Sequence, residues 1–339
     1  MKKMATNKWL ELTPEQRAGF NNTAGINRGL PVEAIEKDWW ITMTLKALFN
    51  ASFAENMVFK GGTSLSKGWN LIERFSEDID LAIDRALFGF GGELTKKRIK
   101  YLRKESGKYI RETVMSELIE QLNVLGIDRQ FYTLTLQDPE LTTNDPQTII
   151  LKYRSDYQRS PYIADSVKIE IGSRSMMEPH EPIKMRSIIA EEFADTEFAD
   201  TPAPIPTVIP QRTFLEKAFL LHEEFQKPEE NIRVERMSRH LYDLERLMDT
   251  DFAKKALENV LLYETIIDHR SKLTAISGID YSTHAPDRIN FVPPASVMEK
   301  WRDDYTAMQA SMIYGESLPF GKLIERIKLL NKRFRSLNF

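Results

Sequence analysis

The sequence predicts an α+β protein with a mixed sheet in its N-terminal half and helices alone in its C-terminal half. Two observations carry this. Short runs of strand character at 56–60, 75–83, 148–153 and 166–171 alternate with helical patterns, all within the first two hundred residues. Beyond a stretch with four prolines in ten residues, Thr201 to Pro210, only helical spacing remains. That stretch, extended or turn-like, is taken as the junction between units 1–205 and 206–339, which suits a chain of 339 residues at roughly 150 residues per domain.

Taken in order, residues 31–50 read as an amphipathic helix, with Ile35, Trp39, Met43 and Leu48 near one face. Residues 56–60 (NMVFK) read as a short buried strand. Gly61-Gly62 breaks it, and Thr63-Ser64-Leu65 opens a short helix, because Thr and Ser cap well. Phe75 to Ile83 alternates polar and apolar as a strand does. Phe88 to Gly92 (FGFGG) is a flexible loop leading into helical pattern from about Leu94 to Leu125. Thr148–Tyr153 and Ser166–Ile171 read as neighbouring strands. In the C-terminal half, Met298, Trp301, Tyr305, Met308 and Met312 recur at 3, 4, 3, 4 spacing, a buried helix face.

Composition excludes several function classes. With 47 Lys+Arg against 50 Asp+Glu the net charge is −3, so the chain is not polybasic overall. A hydrophobic fraction of 42% excludes wholesale disorder. No cysteine is present, so there is no disulfide framework, thiolate metal site or thiol nucleophile. No apolar stretch follows the N-terminal lysines and no run is long enough to span a bilayer, so a cytoplasmic protein with no membrane partner is expected.

The most informative stretch is Lys60 to Leu81, KGGTSLSKGWNLIERFSEDIDL. On a strand, residues i and i+2 share a face, so Asp78 and Asp80 point together. Two carboxylates that close repel unless a cation lies between them, and a hard divalent ion such as Mg²⁺ or Mn²⁺ prefers carboxylate oxygen. Upstream, Gly61 and Gly62 let backbone approach a ligand, and the amides opening the helix at Thr63 and Ser64 make an anion site for phosphates. Glu170, on a second strand beside Lys168, supplies a third acid. Three carboxylates on adjacent strands can hold two metal ions, the arrangement that phosphoryl or nucleotidyl transfer needs. The plainer alternatives are a solvated strand edge for the aspartates and a salt bridge with Lys168 for Glu170.

These residues resemble the AbiEii/AbiGii-type nucleotidyltransferase toxins, a branch of the polymerase-beta-like nucleotidyltransferase superfamily. The resemblance rests first on Gly61-Gly62-Thr63-Ser64-Leu65 followed by Arg74-Phe75-Ser76-Glu77-Asp78-Ile79-Asp80-Leu81. It extends to Glu36-Lys37-Asp38-Trp39-Trp40, to Lys168 through Ser175 with Glu178-Pro179, and to Leu215-Glu216-Lys217-Ala218 and Ser238 through Leu244. The gap between the glycines and Asp78 is longer than in the general superfamily pattern but suits this branch. The resemblance implies a nucleotidyltransferase-like sheet domain whose Asp78, Asp80 and Glu170 hold the metal, with NTP as substrate. It also implies that Gly61, Gly62, Thr63 and Ser64 cradle the triphosphate. The expected reaction is transfer of NMP to an acceptor hydroxyl, with tRNA as one acceptor, by the toxin of a bacterial toxin–antitoxin or abortive-infection system whose antitoxin is separately encoded. The alternatives are an inactive nucleotide-binding or protein-interaction module on the same fold, and a phosphotransferase using the same metal site.

In the helical half, Lys217 lies at the edge of the apolar stripe of Phe214, Ala218, Leu221 and Phe225. The resemblance implies contact with the triphosphate in a cleft between domains; the alternative is a snorkelling lysine. Asp243 lies off the stripe of Met237, Leu241, Leu244 and Met248. It pairs with Arg239 or Arg246 on the helix surface, or, as the resemblance implies, faces the active site, positioning Lys217 or acting as a base. His240 stacks on a base or faces solvent. His180, His222, His269 and His284 show no metal-ligand spacing. Finally, Lys96, Lys97, Arg98, Lys100, Arg103, Lys104, Lys108 and Arg111 form a basic run, either a phosphate track for RNA or a solvated face. A second basic run occupies the last helix, from Lys322 to Arg335.

Overall fold

The structure is a computed structural model that describes residues 7–157, 163–177 and 179–339. It divides into two compact units. The first holds the chain up to Gly68 together with Phe75–Val208; the second holds Trp69–Arg74 and Ile209–Phe339.

The first unit is built on a seven-stranded mixed sheet: β1 (Met57–Lys60), β2 (Asp78–Ile83), β3 (Tyr132–Leu136), β4 (Gln147–Tyr153), β5 (Ser166–Gly172), β6 (His180–Met185) and β7 (Ala203–Val208). Their order is β3-β4-β5-β2-β1-β7-β6. β2 runs parallel to β5 and antiparallel to β1, and β1 runs parallel to β7. The strands expected from the sequence are present, and β4 and β5 are antiparallel neighbours. The region from about Leu94 to Leu125 is helical throughout, as Lys96–Tyr109, one wide π-type turn, and Met115–Val124.

Three strands were not legible in advance. The proline stretch is extended but is not a free linker: Ala203–Val208 is β7, an interior strand. Pro204 and Pro206 are two apart, so both missing donors fall on one edge of the strand. β1 meets that strand at a single pair, Phe59↔Thr207. The helix Val32–Leu48 also departs from the expected amphipathic pattern. It is buried on nearly every side, including Glu36, Lys37 and Asp38.

The second unit contains the helices Pro210–Glu224, Ser238–Leu247, Asp251–Glu258, Val260–His269, Met298–Ser311 and Phe320–Arg335. Phe214 packs on Phe334 with ring centres 5.7 Å apart, and Phe225 on Trp301 at 5.0 Å. Trp301, Tyr305 and Met308 are buried, as their spacing implied. The six-residue excursion Trp69–Arg74 is tied into this unit. Trp69 meets Phe252 edge-on, and the Tyr314 amide donates to the Glu73 carbonyl at 3.0 Å. This excursion accounts for the long gap between the glycines and Asp78.

Candidate functional site

β1 ends at Lys60, which pairs with Asp80 on β2, and the chain then turns at Gly61 with φ +81°. A Cβ built on Gly61 would lie 2.9 Å from Asp80 Cβ and 2.8 Å from its Cγ, and closer still to Oδ2. Only glycine both takes this left-handed backbone and leaves room for the Asp80 carboxylate against the turn. Along β2, Ile79 and Leu81 are buried, so Asp78 and Asp80 share the opposite face. The parallel register then sets Asp78 beside Lys168 and Asp80 beside Glu170.

Lys168 makes an ion pair with Glu170. Burial opposes the charge on Lys168, but the hydrogen bond and field of Glu170, with the fields of Asp78 and Asp80, hold its pKa above the ordinary value. Lys168 is therefore one cation that this acidic face meets among the described residues. Among the described residues, no three carboxylates or histidines converge on a metal-binding point. The donor set still fits a hard divalent ion in its chemistry: oxygen ligands on one sheet face, with Lys168 36% exposed and so displaceable.

The hydroxyls of the turn have internal roles. Thr63 Oγ1 donates to the Asp78 carbonyl at 2.5 Å, and Ser64 Oγ donates to the Gly61 carbonyl at 2.9 Å. Both residues are buried. They fasten the turn to the acidic strand, which leaves the backbone amides of Gly61 and Gly62 as the groups suited to an anion.

Sequence reasoning did not foresee what the Glu36-Lys37-Asp38 run does. Lys37 Nζ donates to Glu77, the residue preceding Asp78, at 2.7 Å. Asp38 accepts from Lys67 at 2.6 Å and from the Ile188 amide at 2.7 Å. One buried helix thus pins both the strand that bears the aspartates and the turn that follows the glycines. The available signal was three charges within a helix that has no polar face, since buried charges require partners. After β5, Ser173 and Arg174 both donate to Asp145. Glu178 lies outside the described residues.

In the second unit, Asp243 is fully buried and accepts from two cations. Arg74 forks onto it at 2.7 Å through Nε and Nη2, and Lys217 Nζ reaches Oδ2 at 2.7 Å. Lys217 is therefore not a snorkelling surface lysine, and Asp243 is no surface partner for Arg246, which instead pairs with Glu73. Burial alone would raise the Asp243 carboxyl, but Arg74 and Lys217 outweigh it and hold it far below the ordinary carboxylate range. Burial, aided by Arg74 and Arg239, pushes the Lys217 ammonium down against the pull of Asp243. His240 is buried rather than solvent-facing; burial and the charge of Lys217 hold its imidazole neutral. Arg74, silent in the sequence reading beyond its motif, is what orders this cluster.

The basic run from Lys96 to Arg111 is divided between two tasks. Arg103 and Arg111 donate to the carbonyls of Thr143 and Thr142, and Arg98 lies over the Phe90 ring. Lys96, Lys97, Lys100 and Lys104 are exposed, with Tyr101 among them. In the last helix, Arg326 and Arg333 are spent on Asp249.

The mixed sheet thus carries a D-x-D strand beside a diglycine turn. Residues 44–331 match the family described as nucleotidyl transferase AbiEii toxin, type IV toxin–antitoxin system, and the chain belongs to that family. It is thereby classed among nucleotidyltransferase toxins. No curated protein matches the sequence. Similar solved structures include JHP933 from Helicobacter pylori, at 14% identity and TM-score 0.45, covering 90% of this chain and 93% of that one. Another is MenT4, the nucleotidyltransferase toxin Rv2826c from Mycobacterium tuberculosis H37Rv, at 16% identity and TM-score 0.43, covering 96% and 100%. No helix among the described residues is long and apolar enough to cross a membrane.

Proposed function

We propose that this chain transfers a nucleoside monophosphate from an NTP to an acceptor hydroxyl. The acceptor oxygen attacks the α-phosphorus, the bond to the bridging oxygen breaks, and pyrophosphate leaves. The observation that carries this reading is the register of β2: Asp78 and Asp80 on one face, Asp80 against Gly61 on one side and beside Glu170 on the other. Asp78 and Asp80 would hold Mg²⁺ or Mn²⁺, joined by Glu170 once Lys168 releases it, or with Glu170 as general base. A bound divalent ion supplies charge neutralisation on the phosphates and acidifies the acceptor hydroxyl.

The chain's own groups do the rest. The Gly61 and Gly62 amides receive phosphate oxygens, and Thr63 and Ser64 keep that turn in place. Lys217 is the cation that the resemblance assigns to the triphosphate, and within the second unit Asp243, locked by Arg74, fixes where its ammonium points. The exposed Lys96, Lys97, Lys100 and Lys104 suit a phosphate backbone, which favours an RNA acceptor such as tRNA. Membership in a family described as part of a type IV toxin–antitoxin system supports a separately encoded antitoxin as partner.

The test incubates purified protein with Mg²⁺, total RNA and NTP labelled at the α or γ phosphate, beside Asp80→Asn. Transfer of α label that Asp80→Asn abolishes is the expected result. Transfer of γ label marks a phosphotransferase instead, and transfer of neither overturns the proposal in favour of a binding module.

A further inference from the structure

A cavity of about 250 Å³ opens in the first unit, lined by residues to which the proposed reaction gives no role. Its walls are the indoles of Trp9 and Trp40 and the ring of Phe131; Leu10, Leu12 and Pro14 line its more open side. The walls are fixed in advance. Trp40 stacks on Tyr153 at 5.2 Å, and Trp9 packs against Trp39 and Phe198 at 6.4 and 5.4 Å.

The polar groups lining it comprise Glu36, Arg17, Asp156, Asn21 and, exposed to solvent, Arg154. Two of these cancel: Arg17 forks onto Asp156 at 2.5 and 2.8 Å. Glu36 is only 6% exposed and accepts from Ser155 Oγ at 2.6 Å and the Asp156 amide at 2.9 Å. Those are neutral donors. Among the described residues no cation pairs with it. A carboxylate offers about four acceptor positions, so part of its capacity is unspent. Asn21, 1% exposed, donates from Nδ2 to Tyr157 Oη at 2.9 Å, which leaves its buried Oδ1 without a partner among the described residues. An orphaned buried acceptor is costly, and so is a buried carboxylate without a counter-ion.

We propose that this cavity binds a small primary amine with a flat apolar body: the ammonium group donates to Glu36 and Asn21 Oδ1, and the body lies among Trp9, Trp40 and Phe131. Both line the cavity, and an ammonium group is the kind of donor that each of them lacks. The aromatic walls suit a cation as well as a ring, because an indole face attracts positive charge. The size agrees too, since a cavity of about 150 Å³ accommodates benzene and this one has room for a ring with a short amine tail. Burial pushes the Glu36 carboxyl up to about 7, so an ammonium group bound there would displace its proton and lower that value again.

The test uses the full-length protein and two matched probes, phenethylamine and 3-phenylpropionate, followed by tryptophan fluorescence and calorimetry. Phenethylamine is expected to bind saturably, and at least tenfold more tightly than the anion. Glu36→Gln, with its fold checked by circular dichroism, should weaken the amine at least tenfold. Arg154→Glu, at an exposed position, should tighten the amine a few-fold, an effect that salt erases. Asp80→Asn should leave amine binding unchanged, so this site stands or falls separately from the transfer reaction. Absent binding of both probes, equal or tighter binding of the anion, unaltered binding in folded Glu36→Gln, or weaker binding in Arg154→Glu would each overturn the assignment. If Glu36→Gln does not fold, the comparison of probes and the Arg154 variant decide.

Discussion

Gly61→Ala tests whether the diglycine turn exists for the sake of Asp80. The new methyl carbon would meet Asp80 Cβ at 2.9 Å and Cγ at 2.8 Å. Both are well inside van der Waals contact, so rotating the carboxylate alone cannot relieve the clash; the turn or the Lys60↔Asp80 pairing must shift. An alanine at φ +81° costs about 1–2 kcal/mol in backbone strain. Overpacking a filled site adds about 1–3 kcal/mol. The sum, roughly 2–5 kcal/mol, is survivable for a domain of ordinary stability, about 5–15 kcal/mol. Urea unfolding should therefore show a folded but weakened protein, with NMP transfer lost because Asp80 has moved. The decisive assay is a double-mutant cycle with Asp80→Ala. Asp80→Ala removes the contacts at Cγ and Oδ2 but not the one at Cβ, so Gly61→Ala should cost less, though not nothing, in that background, a coupling of about 1–3 kcal/mol. Additive effects, or a Gly61→Ala protein within 0.5 kcal/mol of wild type, would refute the reasoning.

The other expected outcomes concern charge. Asp243→Asn leaves Arg74 and Lys217 buried without their anion and should cost about 3–5 kcal/mol in urea unfolding; a loss below 1 kcal/mol would mean that the cluster is dispensable to the fold. Glu36 titrates at about 7 in the folded protein against 4.5 ordinarily, so the folded state holds its proton more tightly. Its contribution is complete below pH 4.5 and is lost as pH rises through 7, about 3 kcal/mol in all. Glu36→Gln should flatten that part of the stability–pH curve, and an unchanged curve would count against the assignment. Charge reversal at Lys97 and Lys100 should lower RNA affinity and reduce its salt slope; an unaltered slope would mark the helix as merely solvated.

The sequence by itself determined much of the first unit, and it did so through local rules. Alternation exposed β2, β4 and β5, because a half-buried strand must alternate. The paired aspartates and the diglycine were visible because i, i+2 geometry and glycine's backbone freedom are properties of a few consecutive residues. The family followed from those same residues. Tertiary structure decided what depends on partners far apart in the chain. β7 could not be read through its prolines, since only the neighbouring strands reveal which of its edges needs donors. Lys37 and Asp38 stood in the sequence only as part of a motif, because the residues that pair with them, Glu77 and Lys67, lie far along the chain. Asp243 sits four residues from Arg239 and three from Arg246, yet it bonds Arg74 and Lys217 from distant segments. Burial explains that outcome: a carboxylate removed from water takes the cations that folding buries beside it, and sequence spacing cannot report which those are.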